Sequence, residues 1–127
     1  MANNNDRNTP EIAGILFSFP VKPDSIIPAG SIVQLDSSGL AQAGKAGSNL
    51  ICVGRAEKRI EAKTDTHITV KRGVFCYKNA GDLTVADING QCFVHDFETV
   101  SKAGTSPARS PCGTVLNVTA EGVWIRI

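Results

Sequence analysis

The sequence predicts an all-β chain: a small β-barrel or sandwich of short antiparallel strands with an extended N-terminal arm. Three observations predict it. Short apolar runs with two-residue alternation recur at roughly 8–12-residue spacing, with Gly, Asn and Asp between them, which is how sandwiches and barrels read in sequence. The stretch from Cys112 to Ile127 is two alternating runs joined by a turn that contains Gly122. Its second run reaches the last residue, so the carboxyl end is expected to be tied into a sheet. Finally, almost no segment carries a helical period.

The elements follow in order. Residues 1 to about 11 are polar and Asn-rich, closing near Pro10, and read as a disordered or partner-ordered arm. Ile12 to Val21 is dense in apolar residues, and Pro20, Pro23 and Pro28 follow closely, which rules out helix and favours extended chain. Ile15, Phe17 and Phe19 then share one side of an extended strand. They either tuck onto the domain's own core as an edge strand or dock on a neighbouring protein. The chain is divided accordingly into an arm, residues 1–25, and a β domain, residues 26–127. Within the β domain, Pro28 to Gly30 is a turn and Ser31 to Leu35 a strand. Asp36 to Gly39 is a hairpin turn with Gly39 available for positive φ, and Leu40 to Ala43 is a weak return strand. Leu50 to Ala56 reads as a buried run. Glu57 to Thr66 is charged and reads as a solvated loop or the outer end of a strand, in preference to one helical turn. His67 to Lys71 and Val74 to Asn79 are strands around Arg72-Gly73. Thr84 caps one short helical turn. Gln91 to Phe97 is a strand with Phe93, His95 and Phe97 on one face, Ser101 to Pro111 a loop, and the terminal hairpin closes the chain.

Composition narrows the partners. The 127-residue chain carries a net charge of +1 and no block of like charge, whereas nucleic-acid binders usually present a basic patch. No stretch of about twenty apolar residues is present to span a membrane. The N-terminus lacks a basic segment followed by an apolar one, so no signal peptide is expected. With one Trp, one Tyr and five Phe, the core must rest on aliphatic side chains. Cys52, Cys76, Cys92 and Cys112 are widely spaced without a C-x-x-C pair, which argues against structural zinc. Each sits in or beside a β run, and they read as small buried hydrophobes in a reducing compartment. Disulfides formed after lysis or release are the other reading.

A search for chemistry assembles no constellation. His67 and His95 have no partner set nearby in sequence. No nucleophile elbow, H-E-x-x-H helix or phosphate loop occurs. Asp36, Asp65, Asp82, Asp87 and Asp96 fall at turns or strand ends, where carboxylates usually cap or turn the backbone. No enzyme, cofactor or metal site is expected. The mixed-sign cluster of Arg55, Glu57, Lys58, Arg59 and Glu61 reads as solvated surface, with an inter-subunit charge belt as the alternative.

The order of the segments is what carries a resemblance. Pro28-Ala-Gly-Ser-Ile-Val-Gln-Leu-Asp-Ser-Ser-Gly39, Val53-Gly-Arg-Ala56, Val70 to Phe75, Leu83 to Val94 and Val115 to Ile127 together resemble the phage capsid decoration, or head cement, proteins. The likeness covers roughly residues 26–127. The cysteines, the charged loop at 57–66 and the N-terminal arm depart from the family pattern. The resemblance implies a non-enzymatic virion protein, made in a host cytoplasm. It would sit on the outer surface of the expanded capsid and brace major capsid protein subunits, with a homotrimer expected ahead of a dimer. Neither nucleic acid nor membrane would be a partner.

Strand addition is the expected mode of attachment, with Ile12, Ile15, Phe17, Phe19 and Pro20 as the arm's capsid-binding residues and Asn3 to Arg7 ordered on binding. Trp124 and Arg126 face away from Val123, Ile125 and Ile127. They form a candidate oligomer surface, because Trp and Arg concentrate at interface hot spots, with a half-buried Trp at a sheet corner as the alternative. On this division, removing residues 1–20 would leave a folded domain that no longer binds capsid. The rival function is a small β attachment module of a phage tail, baseplate or fibre, binding another virion protein or a host glycan. A third, a carbohydrate- or acid-processing β domain, rests only on the turn at residues 28–30.

Overall fold

The computed structural model describes residues 4–10 and 14–127. Among these residues twelve strands follow one another: β1 (Leu16–Pro20), β2 (Ile26–Ile27), β3 (Ile32–Leu35), β4 (Ala41–Ala43), β5 (Ile51–Ala56), β6 (Ile60–Glu61), β7 (His67–Lys71), β8 (Val74–Asn79), β9 (Gln91–Val94), β10 (Thr99–Ser101), β11 (Pro111–Thr119) and β12 (Gly122–Arg126). The fold is all-β, as the alternation predicts.

The strands form two curved layers. The N-terminal half makes a five-stranded sheet in the order β1-β7-β5-β3-β4, antiparallel throughout. It curls far enough that Val21, just after β1, bridges Ala41 of β4 in parallel. The C-terminal half closes into a barrel, β10-β8-β12-β11-β9. Closure comes from β10 pairing with β8 in parallel, Thr99 opposite Lys78 and Val100 opposite Asn79. β2 and β6 form a separate two-stranded ribbon.

Each half has its own core. Ile27, Val33, Val53, Ile60, Ile68 and Val70 pack inside the sheet, and Cys92, Val94, Val100, Val115, Val123 and Ile125 inside the barrel. The inner strands serve both. On β3, Ile32 packs into the barrel core while its neighbour Val33 packs into the sheet core. On β5, Cys52 packs against the barrel core and Val53 belongs to the sheet core. Packing on both faces explains why the β5 segment reads as an apolar run rather than clean alternation.

Local chemistry behaves as expected at the turns. The Gly39 amide donates to the Asp36 carbonyl at 3.0 Å, and Gly39 has φ of 78°. Thr84 caps a 3-10 turn, Val85–Asp87, in a reciprocal capping box: the Thr84 amide donates to Asp87 Oδ2 at 2.8 Å and the Ala86 amide to Thr84 Oγ1 at 3.3 Å.

Two expectations are corrected. The charged loop at residues 57–66 is not wholly solvated: it contains β6, and Ile60 is fully buried in the sheet core. One apolar side chain among charges anchors the loop against Ile27 of β2, its register partner. The chain also does not divide at residue 25. β1 is a full strand of the sheet, with Phe17 opposite Val70 and Phe19 opposite Ile68. Since Val70 and Ile68 are buried, the same period-two face that suggested a docking surface covers the protein's own core. Residues 4–10 lie outside any strand or helix.

Candidate partner-binding surface

The expected arm residues divide into three groups. Ile12 lies outside the described residues. Phe17 and Phe19 are half-buried against the sheet core, so these two are edge-strand packing residues rather than free anchors. Ile15 and Leu16 remain about half exposed, at 52% and 50%, and Pro20 is exposed at the end of β1. A proline there suits an edge strand, which needs no amide donor on its outer side. Among the described residues, β1 pairs only with β7 along its length, so its outer edge can accept another strand.

The turn between β7 and β8 gathers the other expected residues. The Arg72 amide donates to the Ile15 carbonyl at 2.7 Å, and the Ile127 amide donates to the Gly73 carbonyl at 3.0 Å. The start of β1 and the C-terminal end of the barrel are thus fastened to adjacent residues of one turn. The Arg72 guanidinium sits 5.9 Å from the centroid of the Phe17 ring, within cation–π range. One residue past the turn, Val74 is paired in register with Arg126, and Cys76 with Trp124. Val123 and Ile125 are buried in the barrel, so Trp124 and Arg126 face outward, as the alternation predicts. Arg126 is exposed and Trp124 half-buried.

Trp124 lines a shallow depression of about 410 Å³ with Arg55, Val74 and Phe75. The Arg55 guanidinium lies 4.4 Å over the Phe75 ring and pairs with Glu57 at 2.8 Å. This junction of sheet and barrel therefore presents Ile15, Leu16 and Val74 beside Arg72, Trp124 and Arg126. Sequence reasoning had named Ile15, Trp124 and Arg126 but not Arg72 or Val74. Their only signal was their place flanking the Gly73 turn.

The remaining candidates are structural in their contacts. His67 Nδ1 lies 3.1 Å from Thr66 Oγ1, and His95 Nδ1 lies 3.2 Å from the Arg109 guanidinium. Arg59 pairs with Glu61 at 3.1 Å on the surface. Among the described residues, no group of three or more His, Cys, Asp or Glu is arranged to hold a metal ion, and no helix is long and apolar enough to cross a membrane. All four cysteines are free thiols. Three of them, Cys52, Cys92 and Cys112, converge where the sheet meets the barrel. Hydrogen bonds with Cys52 and Cys92, and then burial, hold the Cys112 thiol well above the usual thiol range.

Comparison with protein-family models, with curated proteins and with solved structures finds no match to this chain.

Proposed function

We propose that this protein is a structural virion protein that binds the outer surface of an expanded phage capsid and stabilises it by bridging major capsid protein subunits. The observation that carries the reading is the outer edge of β1, which pairs with no other strand among the described residues, preceded by the exposed residues 4–10 and bordered by exposed Ile15 and Leu16. A capsid subunit that lays a strand along this edge gains main-chain hydrogen bonds, while Ile15 and Leu16 supply apolar contact. The Trp124 and Arg126 face is the homotrimer surface in this reading. The resemblance of the segment order to that of decoration proteins supports the same function. Many copies on a lattice then hold firmly even where each contact is weak.

Co-sedimentation with expanded, undecorated heads tests it. Saturable binding at a fixed ratio to the major capsid protein, with the protein imaged on the outer surface, is the expected result. Folded protein that stays in the supernatant would retire the capsid reading and leave attachment to the tail, baseplate or fibre.

A further inference from the structure

The sheet and the barrel meet at a pair of thiols. Cys52 on β5 and Cys112 on β11 lie 60 residues apart in sequence, yet their sulfurs are 3.5 Å apart. Cys112 falls where the β9–β11 register slips between Pro111 and Gly113. That irregularity turns Cys112 inward, beside the strand that belongs to the other layer. Cys52 lies on β5 and Cys112 on β11, and with their sulfurs already in contact neither needs a large backbone movement to meet the other. Closing from 3.5 Å to a bonded separation of about 2 Å takes side-chain rotation of the kind disulfide geometry permits.

The surroundings choose among the four thiols. Cys52 is half-buried, and Cys112 is 5% exposed. Together they line a surface depression of about 340 Å³ with Leu50, Gln91 and Pro111. Cys92 also hydrogen-bonds Cys112, but it is fully buried, away from any oxidant, and its sulfur donates to the Gly113 carbonyl at 3.6 Å. Cys76 faces away, opposite Trp124 on the outside of the barrel. Cys52 is therefore the sulfur a soluble oxidant can reach, and the Cys112 sulfur it touches belongs to the other layer.

We infer that Cys52 and Cys112 are an oxidation site that closes to a disulfide and staples the sheet to the barrel. The oxidant is a small disulfide such as oxidised glutathione. The Cys52 thiolate attacks one glutathione sulfur, forming a mixed disulfide and expelling one glutathione thiolate. The Cys112 thiolate then attacks the Cys52 sulfur, forming the internal bond and expelling the second glutathione. Two electrons pass from the cysteine pair to the glutathione disulfide, and the two cysteine protons end on the two released thiols. Cytoplasmic glutathione keeps the pair reduced, and an oxidising exterior closes it. This inference is independent of what the protein binds.

The test is thiol mapping of the full chain after equilibration with oxidised glutathione. Remaining free thiols are alkylated, and the chain is digested without reduction. The expected result is one cross-linked species containing Cys52 and Cys112, with Cys92 alkylated only after unfolding. Oxidised protein should melt roughly 10 °C above reduced protein, as closing so long a loop predicts, and Cys52→Ser should abolish that difference. Recovery of Cys52 and Cys112 as separate alkylated peptides overturns the inference, as does a bridge between Cys92 and Cys112. The wild-type map decides the matter even where the variant fails to fold.

Discussion

The Tyr77 hydroxyl donates to the Gly30 carbonyl at 2.9 Å, tying barrel strand β8 to the turn that begins β3. Tyr77 is also a member of the barrel core. One side chain therefore fills one layer and hydrogen-bonds the other. Tyr77→Phe should keep the packing and lose the bond, leaving the Gly30 carbonyl without this donor. The expected cost is about 1 kcal/mol, read as a lower denaturant midpoint at unchanged slope.

The same residue predicts a pH dependence. Burial pushes the Tyr77 hydroxyl above the ordinary phenol value of 10.0. A group whose folded pKa is raised contributes stability that is complete below its unfolded value and is lost as pH rises beyond it. Stability should therefore fall above pH 10, and the fall should be shallower in Tyr77→Phe. Chemical denaturation across that range checks it; identical slopes in the two proteins would contradict it.

Gly54 sits in the bulge where β3 and β5 slip register between Val33 and Gln34, at φ of 145°. A Cβ there would lie 2.6 Å from the Lys71 carbonyl oxygen of β7. Gly54→Ala combines backbone strain with a clash against backbone that cannot swing aside. A loss of about 3 kcal/mol is expected, measured by thermal or denaturant unfolding.

Two truncations separate packing from binding at the N-terminus. Removing residues 1–13 leaves β1 in place, so the protein should still fold and should bind expanded heads more weakly. Removing residues 1–20 strips Phe17 and Phe19 from Val70 and Ile68, and should cost about 3 kcal/mol of stability. Full binding after the shorter deletion would confine the capsid contact to β1 and the residues that border it, and remove residues 4–10 from it. Full stability after the longer one would show that β1 adds nothing to the core.

Trp124→Ala tests the outward barrel face. Trp124 points away from the barrel core, so monomer stability should change little. The proposed homotrimer should weaken by at least tenfold, because a buried interface Trp is worth about 2 kcal/mol. Sedimentation velocity of both proteins reads this directly. A wild-type protein that sediments as a monomer would remove the oligomer face.

The sequence by itself determined most of the longer strands and the turns, because these depend on local chemistry, while the short β2, β6 and β10 went unread. Asp36 to Gly39 could only be a hairpin turn, Thr84 announced its cap, and Val123 and Ile125 had to oppose Trp124 and Arg126. Each is set by residues within a few positions of one another. It also left the fate of Phe17 and Phe19 open, since an apolar strand edge reads identically whether its cover is internal or foreign.

Tertiary structure decided that question, because Ile68 and Val70 lie some fifty residues further on and only pairing brings them opposite the two Phe side chains. It decided the burial of Ile60, which a charged neighbourhood had hidden. It also placed Cys52 against Cys112 and Ile15 next to the turn that holds Ile127. No local pattern encodes which of four scattered thiols will meet, or which strand ends will share a turn. Those follow from sheet order and register, and these are set by how two separate cores are filled at once.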